Sequence, residues 1–313
     1  HRQVILFQNR RGYTPYQVCM VCGWIAQCRN CDVSLTYHKL SNKMKCHYCG
    51  NVYPPMITCQ ACGSDKLAQR NFGTEKIEEL LQQELEGIRV ARMDLDTVRT
   101  KNSHDVLIQQ FEQKRIDVLV GTQMVVKGLD FDNVDLVGIL DADGLLHFAD
   151  FRVNERAFQL MEQVSGRAGR KDGRGRVLIQ TMNPSHPVLM QVGKHDYHSM
   201  YAEEIEKRRQ FFYPPFSRII VLHFRHRERD LVFDAAHTFA KQLDIPYGKY
   251  MVGPAEPVVN RVRNMFLMEL MFKLPRDKEV IAKCKSDILN EIARLHAVTR
   301  FRKVIVVPDA DAV

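Results

Sequence analysis

Unbroken apolar runs alternate with helical periodicity along most of the chain. Val4-Ile5-Leu6-Phe7 is the pattern of a strand buried on both faces, and it ends in the polar turn Gln8-Asn9-Arg10-Arg11-Gly12-Tyr13. Further strands are predicted over residues 88–93, 116–120, 134–140 and 176–180. Helices are predicted over 75–86, with Thr74 as N-cap and acids in the first turn, and over 104–114 and 154–167. Strands alternating with helices imply a parallel α/β sheet. A boundary is expected around 183–187. Beyond it a charged helical segment, 203–210, precedes Phe211-Phe212-Tyr213-Pro214-Pro215, which is expected to anchor the domain junction. A strand at 218–224, a helix at 230–243, a strand at 265–273, a helix at 278–296 and a strand at 303–307 then predict an α+β domain.

The composition is that of a globular protein, with 45% apolar and 26% charged residues, and 313 residues are enough for two domains or one with an insertion. No apolar run approaches the roughly 20 residues needed to cross a bilayer. The opening His1-Arg2, with only a four-residue apolar run behind it, predicts no signal peptide, and the missing initiator Met reads as a fragment. The net charge of +8 is uneven: residues 10–72 hold eight Lys/Arg against two Asp/Glu, 73–199 sixteen against twenty, and 200–313 twenty against fifteen. Two basic segments flanking an acidic one suggest a polyanion such as nucleic acid; solvated surface explains them equally well.

Eight of the nine cysteines form four C-x-x-C pairs: Cys19/Cys22, Cys28/Cys31, Cys46/Cys49 and Cys59/Cys62. Strict pairing, a long cysteine-poor remainder and no secretory signal argue against a disulfide cluster. Two such turns can close a tetrahedral zinc site of four thiolates, so two structural Zn²⁺ ions are expected, with redox or iron–sulfur chemistry as alternatives. Gly23, Gly50 and Gly63 follow three of the pairs and permit the positive φ such turns often need. Spacing leaves three ways of grouping the pairs, one of them nested. His38 and His47 are not needed as ligands.

Two other segments carry candidate chemistry. In Gln163-Val164-Ser165-Gly166-Arg167-Ala168-Gly169-Arg170, two arginines three apart lie on about one helix face, where guanidinium groups can grip a phosphate. The plainer reading is a helix end with basic residues against the dipole and a glycine cap. In Gly121-Thr122-Gln123-Met124-Val125-Val126-Lys127-Gly128-Leu129-Asp130, backbone N–H groups beyond a buried strand can bind phosphate, and Asp130 can accept from a ribose hydroxyl or orient an arginine. A simple strand–turn–helix explains that stretch as well.

Taken together, the turn after the first strand, residues 121–130 and residues 163–170 resemble, in order, motifs IV, V and VI of the second RecA-like lobe of superfamily 2 helicases. A lobe interrupted after Asn9-Arg10-Arg11-Gly12-Tyr13 by four C-x-x-C pairs resembles the bacterial replication-restart DNA helicases. Gly73-Thr74-Glu75-Lys76, Met93-Asp94-Leu95-Asp96-Thr97, Leu140-Asp141-Ala142-Asp143-Gly144 and Phe148-Ala149-Asp150-Phe151-Arg152 agree. The resemblance is strongest over residues 4–187. It implies an α/β fold: a RecA-like parallel-sheet lobe at 1–18 and 63–190, an inserted two-zinc Cys-rich module at 19–62, and a linker helix with an α+β DNA- and partner-binding domain at 191–313. It implies nested zinc sites, Cys19/Cys22/Cys59/Cys62 and Cys28/Cys31/Cys46/Cys49. It implies an ATP- and Mg²⁺-dependent 3′→5′ helicase that recognises abandoned forks and starts primosome assembly. Arg167 and Arg170 would then act on the γ-phosphate, Gly128, Asp130 and Gln163 would line the nucleotide cleft, and Arg10, Arg11 and Thr122 would contact DNA or the other lobe. Implied partners are forked and single-stranded DNA, single-stranded DNA-binding protein and other primosome proteins, with the protein a monomer in the bacterial cytoplasm.

The phosphate-cradling G-x-x-x-x-G-K-[ST] motif is not in the sequence: its two Gly-Lys dipeptides, Gly193-Lys194 and Gly248-Lys249, are followed by His195 and Tyr250, and no Asp-Glu dipeptide occurs. The chain alone is therefore expected to be catalytically silent. A DNA-binding zinc module without motor function, a protein platform, and another superfamily 2 translocase are the alternatives. Trp24 either packs the zinc module or stacks on a base, Cys284 is expected in a helix core, and Arg261 and Arg263 are candidate backbone or partner contacts.

Overall fold

The computed structural model describes residues 2–8, 16–38, 42–70, 74–94, 97–98, 101–125, 131, 133–146, 150–169 and 175–310. In chain order it begins with strands β1 (Gln3–Gln8), β2 (Tyr16–Cys19), β3 (Thr36–His38), β4 (Lys43–Lys45), β5 (Val52–Tyr53) and β6 (Leu67–Arg70). Helix α1 (Thr74–Glu84), β7 (Val90–Met93), α2 (Lys101–Glu112), β8 (Val118–Gly121) and β9 (Val134–Leu140) follow. Next come α3 (Asp143–Leu146), α4 (Val153–Ser165), β10 (Arg176–Ile179), α5 (Pro187–Gly193) and α6 (Tyr197–Gln210). The last part comprises β11 (Ser217–His226), α7 (Arg229–Tyr247), β12 (Met251–Ala255), β13 (Arg261–Val262), β14 (Met265–Pro275), α8 (Lys278–Ala297) and β15 (Ile305–Ala310).

The chain forms two compact units, 1–15 with 70–204 and 16–69 with 205–313. The first is built on a five-stranded parallel sheet in the order β10-β9-β1-β8-β7. β1 runs down its middle, which is why its apolar run is unbroken: Ile5 and Phe7 are fully buried, and Val4 and Leu6 face the other side. Gln3 is the one buried polar side chain at the start of that strand, and its amide donates to the carbonyls of Phe111 (2.6 Å) and Ile116 (2.8 Å), tying the end of α2 to the approach to β8. The sheet also forces backbone and side chains together at Gly121: a Cβ there would sit 2.2 Å from Val125 Cγ1 and 2.7 Å from the Met93 carbonyl oxygen.

The expected break near 183–187 is instead the start of a helix. Pro187 occupies the first turn of α5, where a missing N–H costs nothing, and His186 caps it by accepting from the Val188 N–H (3.3 Å). Val188, Leu189, Val192 and Met200 are buried in the same core as Ile5, so the unit continues to Glu204.

The second unit contains the cysteine-rich segment and an antiparallel sheet, β12-β14-β11-β15, with β13 also paired to β14. Phe224, Phe239, Leu270 and Phe272 form its core with α7 and α8. Cys284 is buried there, and burial pushes its thiol up to about 12. At Phe211 the ring stays exposed; the carbonyl is what anchors, accepting from Lys273 Nζ (2.9 Å), whose ammonium also lies over the Tyr213 ring (3.6 Å). Within residues 16–69, β2 pairs with β6, so the strands that enter and leave the segment lie side by side, and β3, β4 and β5 form a small meander. No helix among the described residues is long and apolar enough to cross a membrane.

Gly121→Ala should lower stability by about 1–3 kcal/mol through overpacking against the Met93 carbonyl. Urea unfolding of the purified chain measures this; an unchanged midpoint would mean that the strand end relaxes freely.

Candidate metal centres and motor segments

Each C-x-x-C turn places two sulfurs on one side of a tight loop. In three of them the following glycine has a positive φ (Gly23 74°, Gly50 81°, Gly63 73°) and its N–H donates to the carbonyl of the first cysteine, each at 2.9 Å. The turns meet in the nested grouping. Cys19, Cys22, Cys59 and Cys62 converge in one cluster and Cys28, Cys31, Cys46 and Cys49 in another, with all sulfurs of a cluster within 4.8 Å of each other. The Cys19–Cys62, Cys22–Cys59 and Cys28–Cys49 sulfurs are 3.6 Å apart. Tetrahedral Zn–S bonds of about 2.3 Å require sulfurs about 3.8 Å apart, so the donor sets fit Zn²⁺, and none of the cysteines forms a disulfide.

Electrostatics makes the same demand. In the first cluster the Cys22 N–H draws the Cys19 thiol down to about 6; the Ser64 N–H favours the Cys62 thiolate, yet the facing Cys22 thiol helps hold Cys62 up at about 12. In the second, burial pushes Cys46 up to about 12 and opposes ionisation of Cys28 too, but the Tyr53 hydroxyl and the Asn30 N–H bring Cys28 down to about 7. Four thiols this close resist ionising together unless a cation takes up the charge. A bound Zn²⁺ would supply that charge and hold the turns together; with four thiolates the site is closed, which makes its role structural. The apolar core beside the second cluster is small, led by Ala26, Leu35 and Met44, with Trp24 packed half-buried against it.

In the first unit the parallel strands put their C-terminal ends on one edge, and Thr122 lies there. Its N–H donates to the Met93 carbonyl (3.3 Å) and its carbonyl accepts from Val125 (3.0 Å). Beside it, buried Asp94 accepts from Thr74 Oγ1 (2.5 Å) and the Thr97 N–H (3.0 Å), fixing the start of α1. Arg92 backs this corner through Glu78 (3.3 Å), whose carboxyl is raised by burial.

The segment around Arg167 is at the opposite edge. On α4, Ala157, Phe158, Met161 and Val164 form the buried stripe, and Gln163 is exposed. The helix ends at Gly166, Arg167 is half-buried, and the Gly169 N–H (φ 64°) donates to the carbonyl of Val134, the first residue of β9 (2.8 Å). Gly175 lies against this turn so closely that a Cβ would be 2.2 Å from the Gly169 nitrogen. Strand polarity thus separates Thr122 from Gln163 and Arg167. Arg10, Arg11, Gly128, Asp130 and Arg170 lie outside the described residues.

Arg261 and Arg263, read from the sequence as backbone or partner contacts, bind within the chain to Asp32 (2.7 Å) and the Tyr48 carbonyl (3.3 Å). Neither this contact nor the Tyr53 hydroxyl on Cys28 (3.3 Å) has a local sequence signal.

These features define a RecA-like helicase lobe with a cysteine-rich zinc module and an α+β domain. Residues 65–172 match the helicase conserved C-terminal domain, and residues 28–54 match the PriA DNA helicase Cys-rich region domain. The replication restart protein PriA of Bacillus subtilis is 39% identical over 90% of this chain and 35% of its own length. That of Synechocystis is 40% identical over 90% of this chain and 34% of its own length, and that of Treponema pallidum 41% over 87% and 42%. The chain belongs to the replication restart protein PriA family, and it spans about a third of the length of the first two relatives.

Chelation of metal from the chain at neutral pH should deprotect residues 16–69 while the parallel sheet keeps its protection. Hydrogen exchange read by peptide reports both; full protection of 16–69 after metal removal would contradict a metal-dependent fold.

Proposed function

We infer that the chain is the second motor lobe, zinc module and C-terminal domain of an ATP-dependent 3′→5′ DNA helicase that recognises stalled or abandoned replication forks and initiates primosome assembly. The observation that carries this reading is the pairing, in one chain of this family, of two four-cysteine clusters with a helicase lobe whose arginine turn is tied to the start of β9. Such a lobe closes one wall of a nucleotide cleft. Arg167 and Arg170 are the groups proposed to meet charge developing on the γ-phosphate, since a guanidinium stays charged and can make paired hydrogen bonds. Gln163, Gly128 and Asp130 are proposed to line the same cleft. Thr122 is proposed to touch the DNA backbone from the other edge, so that hydrolysis and strand contact act on opposite ends of the same strands, and Arg10 and Arg11 are proposed as further DNA-backbone contacts.

ATP and Mg²⁺ would be held mainly by a partner lobe with a phosphate-cradling loop, so the chain alone is proposed to be inactive in hydrolysis. The domain division proposed is a discontinuous motor lobe, the zinc insertion and a C-terminal DNA- and partner-binding domain, acting as a monomer in the bacterial cytoplasm. Single-stranded DNA-binding protein and primosome components are the proposed partners. A second reading, a protein platform, is favoured by apolar side chains on and near the zinc turns: Met20, Val21 and Ile57 are 54%, 62% and 85% exposed. Binding to partner proteins with negligible salt-dependent DNA affinity would favour this platform.

In the longer protein that contains both lobes, Arg167→Ala and Arg170→Ala should each lower DNA-stimulated ATP hydrolysis, by about 10³-fold for the residue that serves as the finger, with DNA affinity retained. Hydrolysis at the wild-type rate in both variants would remove them from the nucleotide site.

A further inference from the structure

The four zinc turns are not equivalent. Three close on a glycine whose N–H bonds back to its own turn, but the fourth, Cys28–Cys31, is followed by Asp32, and the Asp32 N–H donates outside the turn, to the Arg261 carbonyl (2.9 Å). Arg261 belongs to the β13–β14 hairpin, more than two hundred residues away. Val262 and Met265 are its closing pair, and Arg263 (φ 53°) and Asn264 (φ 59°) are its two central residues, the geometry of a type I′ turn.

The whole tip is seated on this one site. The Arg263 N–H donates to Cys31 Sγ (3.2 Å), and the Asn264 N–H donates to the Asn30 carbonyl inside the turn (2.7 Å). The Arg261 guanidinium holds the Asp32 carboxylate through Nε (2.9 Å) and Nη2 (2.7 Å). Arg263 Nε donates to the Tyr48 carbonyl, in the turn that supplies Cys46 and Cys49 (3.3 Å), and Val262 packs into the small core beside the cluster. Among the described residues, no donor from outside 16–69 reaches a sulfur of the Cys19/Cys22/Cys59/Cys62 cluster.

We propose that the β13–β14 hairpin is the missing closing piece of the Cys28/Cys31/Cys46/Cys49 metal site, so that Arg261, Val262 and Arg263 position its ligands and selectively slow the loss of that ion. The proposal rests on the metal reading of the clusters. The physics is that of an outer shell: an N–H on a thiolate and a locked turn fix ligand orientation, and removing such supports typically weakens metal binding about 10- to 100-fold. The consequence is that the C-terminal domain and the inner zinc site form one structural element, whereas the outer site stands on its own turns.

The test uses the zinc-loaded 313-residue chain under chelator challenge. Released thiols are trapped with N-ethylmaleimide and located cysteine by cysteine by peptide mass mapping. Arg261→Glu, which sets a like charge against Asp32, should speed trapping at Cys28, Cys31, Cys46 and Cys49 by about 10-fold or more and leave Cys19, Cys22, Cys59 and Cys62 within about twofold of wild type. Adding Asp32→Lys to Arg261→Glu should restore slow trapping. Equal acceleration at all eight cysteines, no acceleration at the inner four, or no rescue by the swapped pair would overturn the proposal. A wild-type chain whose eight thiols are trapped at once without chelator would instead refute the metal reading itself.

Discussion

The gathering of four mutually repelling thiolates around one cation is the constraint on which residues 16–69 depend. The strands there are two to four residues long, and the core is little more than Ala26, Leu35 and Met44 with the cysteines themselves. Such a segment cannot bury enough apolar surface to offset its own ordering entropy. A structural zinc ion contributes on the order of 10 kcal/mol of apparent binding free energy to small domains, so two such ions together outweigh what Ala26, Leu35 and Met44 supply at about 1.5–3 kcal/mol for a large side chain. The metal centres therefore decide where the turns sit, and the turns decide which exposed residues the module offers.

The first unit solves a different problem. One face of its sheet is buried in the core around Ile5, Phe7, Leu119 and Ile139, and the segments that carry candidate chemistry lie at the two ends of the strands. Parallel polarity then sorts the candidates: residues just after β8 lie on one edge, and residues bound to the start of β9 lie on the other. The close approaches at Gly121 and Gly175 fall at these two edges, at the end of β8 and against the turn bound to the start of β9. Glycine at both positions reflects backbone proximity rather than a need for unusual dihedral angles, since neither has a positive φ.

Much of this is legible in the sequence because the patterns are local. The unbroken run Val4–Phe7, the stripe on α4 and the C-x-x-C pairs each carry their meaning within a few residues, and the strand over 134–140 matches β9 residue for residue. The ligand grouping is not legible from spacing, since it depends on which turns meet in space; in the sequence it comes only from the family resemblance. The Pro-containing stretch before α5 reads as a break because proline marks both linkers and helix starts, and only Val188, Leu189 and Val192 packing into the core decides between them. The hairpin at 261–264 is invisible as a zinc-site element because its partner, Asp32, lies 229 residues before Arg261. Short β12 and β13 escape detection for a related reason: their pairing with β14, not their composition, makes them strands.

The two closed metal centres are the feature on which the rest of the module turns. Native mass spectrometry of the intact chain, with a denatured control, measures them most directly. It should find two zinc ions per chain, both lost on denaturation with eight free thiols left in the four C-x-x-C pairs. A metal-free chain of native fold whose mass is lowered by four disulfide bonds would contradict it.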